Sequence, residues 1–128
     1  MSQFNLTAIS PLDGRYASKL AELQPICSEY GLIKYRVTVE LQWLISLLNT
    51  PGIIAAENSY DSAKLTNIKE QFTLEDAATV KNIESTTNHD VKAVEYFLQE
   101  KFKADDKLTP LIPFIHFACT SEDINNLA

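Results

Sequence analysis

A chain of 128 residues, 45% hydrophobic and 22% charged, can bury about two-thirds of its unfolded surface and reads as one globular domain, or one with part of another. Its net charge of -6 argues against nucleic acid as a partner, because a phosphate backbone asks for a basic face. No apolar run reaches the ~18 residues of a membrane span, no signal pattern opens the chain, and the three glycines are too few for a turn-rich β architecture.

The opening stretch to Tyr16 reads as looped, with turns at Ser10-Pro11 and Asp13-Gly14. A short helix is expected over Ala17–Ile26, ended or kinked by Pro25. Cys27 and Cys119 are too few and too far apart for a disulfide scaffold or a metal clip, and are expected to be buried, reduced thiols in a cytoplasmic protein. Ile33, Val37, Leu41, Leu44 and Leu48 step by four, four, three and four, one face of a long helix that Asn49, Pro51 and Gly52 stop.

Leu65, Ile68 and Phe72 form a shorter stripe, capped by Ser59 or Asp61. Thr73 with Asp76 three residues on resembles a capping box for a helix carrying Ala77, Val80 and Ile83 inward. Val91, Val94, Leu98 and Phe102 make the next stripe, with Tyr96 and Phe97 expected in the core. A charged turn at Asp105 and Asp106 ends it. Pro110 and Pro113 predict an extended or kinked passage. The last helix opens at Thr120 or Ser121 and reads as cut in mid-course at Ala128, without a closing cap. The fold class is all-α.

Two polar segments stand out. Thr87-Asn88-His89-Asp90-Val91 and His116-Phe117-Ala118-Cys119-Thr120-Ser121-Glu122-Asp123 each set a histidine beside hydroxyls or acids where a helix begins. Free N–H groups and partial positive charge make helix N-termini natural anion sites. Taken singly, Asp90 and Thr120-Ser121 read as capping and dipole-matching residues, Asp90 also as the group that sets the tautomer of His89. His116, inside an apolar run, reads as a hydrogen-bonded core residue. Arg15 and Tyr16 read as a surface arginine beside a partly buried ring, although a guanidinium fork suits phosphate or carboxylate. No histidine pair has a zinc spacing, and there is no Gly-rich phosphate loop or nucleophile elbow.

Together, Ser10-Pro11-Leu12-Asp13-Gly14-Arg15-Tyr16, the stretch Thr86 to Leu98 and the stretch Phe114 to Leu127 resemble the N-terminal part of the bacterial-type adenylosuccinate lyases, within the fumarase/aspartase superfamily. The helix Tyr30 to Leu48, with Glu40 and Trp43, is similar to that family's first long helix. The likeness is weakest over 51–73 and 101–111. It implies an N-terminal helical domain over 1–112 and the truncated start of the central helical-bundle domain over 113–128.

The resemblance also implies a small-molecule substrate. That family cleaves adenylosuccinate to AMP and fumarate, and SAICAR to AICAR and fumarate, by β-elimination in purine nucleotide biosynthesis. It does so as a homotetramer with no metal or organic cofactor. By position, Arg15 and Tyr16 would contact the nucleotide at its phosphate. Asn88, His89 and Asp90 would bind substrate, His89 orienting it, and Thr120 with Ser121 would grip a succinyl carboxylate. His116 would line the same cleft. The family's general acid and base lie beyond Ala128, so the chain alone is expected to be inactive. Two alternatives stay open: part of a superfamily lyase acting on argininosuccinate or fumarate, or a non-catalytic helical interaction module.

Overall fold

The computed structural model describes residues 6–54 and 60–128. Among them every regular element is helical: α1 Gln24–Cys27, α2 Glu29–Leu48, α3 Ser62–Glu70, α4 Leu74–Thr87, α5 Asp90–Lys103 and α6 Ser121–Leu127, with 3-10 segments at Ala17–Lys19 and Thr109–Phe114. The all-α expectation holds. No helix among the described residues is long and apolar enough to cross a membrane. Contacts group the chain into two units, Met1–Leu32 and Ile33–Ala128.

In the first unit the expected helix over Ala17–Ile26 is replaced by a 3-10 turn and the single turn α1, in which Pro25 occupies the first turn. The reason is proline chemistry. Pro25 has no N–H to give and its ring clashes with the carbonyl four residues back, so it starts a helix rather than ending one. Ser28 then caps α2, its hydroxyl accepting from the Gly31 amide at 3.2 Å. Gly31 is obligatory for the tight turn between α1 and α2, because a Cβ there would lie 2.5 Å from the Ile26 carbonyl oxygen.

In the second unit the periodic stripes become the core. Ile33, Val37, Leu41 and Leu44 of α2 are buried, as expected, but Leu47 rather than Leu48 completes the row. A straight 3.6-residue helix drifts from a four-step ladder, so the last inward position falls one residue earlier. From α5, Val91, Val94, Phe97, Leu98 and Phe102 are buried, each worth about 2 kcal/mol of burial. This helix packs on α4 and on the Thr109–Phe114 segment, and Phe97 meets Phe72 edge to face at 5.8 Å. Tyr96, expected in the core, is exposed, since it falls on the opposite face from Val94 and Leu98.

The caps follow the sequence closely. Asp61 caps α3; Ser59, the other candidate, lies outside the described residues. Thr73 and Asp76 form the capping box of α4, and Lys101 of α5 reaches Asp76 at 2.8 Å. The passage through Pro110 and Pro113, expected to be extended or kinked, is a 3-10 helix with Pro113 inside it. The proline φ suits that tighter helix, and its short length spares it the missing donor. Cys27 is exposed and Cys119 half-buried, both free; the expectation of two buried thiols fails because neither sits on an apolar stripe.

Candidate functional site

The α4–α5 junction is built on Asn88. Its backbone is left-handed, φ 51, a conformation asparagine tolerates better than other side chains. One such residue lets α4 end and α5 begin two positions later. His89 is the N-cap of α5, its Nδ1 accepting the Lys92 amide at 3.1 Å. A nitrogen that accepts carries no proton, so the neutral ring is protonated on Nε2. The tautomer is therefore set by the Lys92 main chain and not by Asp90, as the sequence suggested; the Asp90 carboxylate stands 3.7 Å away.

Asp90 is used otherwise. One oxygen accepts its neighbour Val91's amide at 2.8 Å and the other accepts from the guanidinium of Arg36 at 2.7 Å. Burial pushes the Asp90 carboxyl up, but the Val91 amide, Arg36 and His89 outweigh it and hold it below its ordinary value. Arg36 is itself buried on α2 and donates through Nε to Asn125 of α6 at 2.9 Å. One arginine thus ties α2 to the start of α5 and to α6.

The α6 side brings Ser121 to this junction. His89 Nε2 lies 3.5 Å from the Ser121 hydroxyl, across 32 residues of sequence. Thr120 caps α6, accepting from the Asp123 amide and returning its own amide to the Asp123 carboxylate at 2.7 Å. The capping bonds hold the Asp123 carboxyl below its ordinary value.

His116 is half-buried. Its Nδ1 faces the Glu40 carboxylate of α2 at 2.5 Å, and its Nε2 lies 3.8 Å from Glu95 of α5, beyond hydrogen-bond reach. Glu95 in turn receives the Lys92 ammonium at 2.8 Å. Lys92 therefore links the two histidines, through its amide to one and its side chain to the carboxylate beside the other. Burial raises the Glu40 carboxyl above its ordinary value despite the His116 ring. His116 and Ala118 both stand at φ 60, a region costing non-glycine residues roughly 1–3 kcal/mol each. Trp43 steadies that turn by donating to the Phe117 carbonyl at 2.8 Å.

In the other unit, Arg15 and Tyr16 are both exposed, the guanidinium 5.0 Å from the Tyr16 ring centroid. The tyrosine is more open than expected, a stacking partner rather than a core ring. Among the described residues no group of three or more His, Cys, Asp or Glu could hold a metal ion.

Arg36 and Glu95 belong to none of the polar motifs, and Glu40 stands out only by its place in a helix similar to a known one. All three had a signal. Arg36 and Glu40 are one turn apart on the same face as Ile33, Val37, Leu41 and Leu44, and Glu95 lies between Val94 and Leu98. A charge inside an apolar stripe must find a partner.

The chain is 53% identical to an adenylosuccinate lyase of Buchnera aphidicola subsp. Schizaphis graminum over 97% of its length. It is 52% identical to those of Haemophilus influenzae and Escherichia coli strain K12 over its whole length. It spans about 28% of the length of each of these curated relatives. No protein-family model matches it.

Proposed function

We infer that this chain, which belongs to the adenylosuccinate lyase family and matches its N-terminal part, supplies the substrate-receiving portion of such an enzyme. The observation that carries the reading is the approach of His89 Nε2 to the Ser121 hydroxyl at 3.5 Å. Two motif segments distant in sequence then offer their donors at one place.

The chemistry asks for this. Cleaving adenylosuccinate to AMP and fumarate, or SAICAR to AICAR and fumarate, removes a proton beside a succinyl carboxylate. The C–N bond breaks with its electron pair going to nitrogen, which is then protonated. Negative charge builds on the carboxylate as the proton leaves, and preformed donors must hold it. Ser121 and Thr120 would take that carboxylate, and His89, with its proton on Nε2, would donate from the side. Asn88 would shape the turn and Asp90, braced by Arg36, would hold His89 in place. Arg15 and Tyr16 would receive the nucleotide phosphate, by charge and by stacking. His116 would line the same cleft.

On this reading residues 1–112 are the N-terminal helical domain and 113–128 the start of the central one. The principal acid and base come from residues outside this chain and from neighbouring subunits of a homotetramer. The enzyme works in the cytoplasm, on a small molecule, without cofactor. The test follows fumarate release spectroscopically. The complete polypeptide is expected to cleave adenylosuccinate, Ser121→Ala and His89→Asn each lowering kcat/KM by about 100-fold, and the 128-residue chain alone is expected to release none. Fumarate from the short chain would overturn its dependence on outside residues. A complete enzyme that prefers argininosuccinate would overturn the substrate.

A further inference from the structure

Glu40 occupies a position that stability does not explain. It lies in the middle of α2 with 2% of its surface exposed, among Val37, Leu41 and Leu44. One carboxylate oxygen meets His116 Nδ1 at 2.5 Å. The other, Oε2, is buried with no hydrogen-bond partner among the described residues. A carboxylate held this way loses its hydration for a single contact, and an apolar side chain of the same size would serve the core at least as well. What Glu40 does have is command of the His116 ring.

The same helix grips both sides of the strained turn. Glu40 holds the His116 ring, and Trp43, three residues on, donates to the carbonyl of Phe117 at 2.8 Å. His116 at φ 60 is thereby aimed by α2 rather than by its own segment. With Nδ1 engaged by Glu40, Nε2 faces Glu95 at 3.8 Å, too far for a hydrogen bond, and has no hydrogen bond among the described residues; the charge of Glu95 is occupied by Lys92. A ring turned by a buried carboxylate, its far nitrogen making no hydrogen bond among the described residues, is the arrangement that prepares a histidine to meet a substrate.

We propose that Glu40 is a positioning residue for the lyase reaction: through its contact with Nδ1 it fixes the plane and tautomer of His116 and presents Nε2 to the succinyl-bearing substrate. The proposal rests on the reading above that His116 lines the cleft, and assigns to Glu40 a role acting through that ring.

The experiment is a double-mutant cycle in the complete enzyme, with Glu40→Gln, His116→Asn and the pair, read both by steady-state kinetics on adenylosuccinate and by urea unfolding. Glu40→Gln is expected to lower kcat about 10- to 100-fold with KM changed less than about threefold, and the double variant to be no slower than His116→Asn within about threefold. Glu40→Met, which matches the volume and asks for no hydrogen bond, replaces Glu40→Gln if that variant does not fold, with the same expectation. A kcat within about threefold of wild type for the Glu40 variant, or losses that multiply in the double variant, overturns the proposal. The unfolding midpoints read the pair without turnover, and their additivity would also overturn it. A wild-type enzyme that leaves adenylosuccinate intact overturns the functional reading instead, while the unfolding cycle still reports on Glu40 and His116.

Discussion

The two histidine segments look alike in sequence and are held by opposite means. At the α4–α5 junction His89 is exposed, and its ring is fixed by a main-chain amide, that of Lys92. Before α6, His116 is half-buried, and its ring is fixed by a side chain from another helix, Glu40. A ring set by its own capping turn depends on local backbone geometry. A ring set by a buried carboxylate depends on tertiary packing and on a charge kept out of water. The same residue type thus carries a local device in one place and a long-range one in the other.

The sharpest way to break the comparison is to remove each support. Glu40→Ala leaves His116 facing a cavity and is expected to cost about 3 kcal/mol, as for other broken buried pairs, measured as a lowered urea midpoint. Next in size is Arg36→Met, which keeps the apolar stem but abandons Asp90 and Asn125, for about 2 kcal/mol. If instead Arg36→Met proved the costlier of the two, the α4–α5 junction would be the one relying on distant packing.

Asn88 tests the local device itself. Asn88→Gly is expected to change stability by less than about 0.5 kcal/mol, since glycine adopts φ 51 freely, whereas Asn88→Val should lose about 1–2 kcal/mol. Equal values for the two would mean that the left-handed turn does not set the junction.

The smallest effects lie in pH dependence, where the two sites should pull in opposite directions. The Asp90 carboxyl is held below its ordinary 3.8, so its contribution is present above that value and is lost as pH falls through the folded one. Asp90→Asn should therefore flatten the acid limb of stability against pH, by under about 1 kcal/mol for a half-exposed group. Glu40 is the reverse case. Burial lifts it above its ordinary 4.5, so the stability linked to its protonated form is present below 4.5 and is lost as pH rises through the folded value. Glu40→Gln should remove that loss on the alkaline side. Unfolding midpoints from pH 3 to 8 that changed on the same limb for both variants would refute the contrast.

Much of the helical layout was legible because it rests on local chemistry. The stripes of α2 and α5, the capping box at Thr73–Asp76, the helix start at Thr120-Ser121 and the stop at Asn49–Gly52 all depend on residues within a turn or two of each other. The misreadings share a cause as well. Ala17–Ile26 has the composition of a helix, but Pro25 decides where one can start. Leu47 displaces Leu48 because the helix turns slightly more per residue than a four-step ladder implies. Tyr96 and the two cysteines were placed by residue type rather than by the face they occupy.

The candidate site divides the same way. That one helix begins at His89-Asp90 and another at Thr120 or Ser121 follows from residues a few positions apart, so the sequence alone determined it; that Asn88 takes the left-handed turn and His89 caps through its own ring came from the structure. Which groups meet across the fold was decided only by tertiary structure: Ser121 beside His89, Arg36 between Asp90 and Asn125, Glu40 and Glu95 on either side of His116. Periodicity marks Arg36, Glu40 and Glu95 as charges on buried faces, but the partners of the α2 pair, Arg36 and Glu40, lie 54 to 89 residues away. Burial makes a partner obligatory, and only the packing of α2 against α5 and α6 names which one it is.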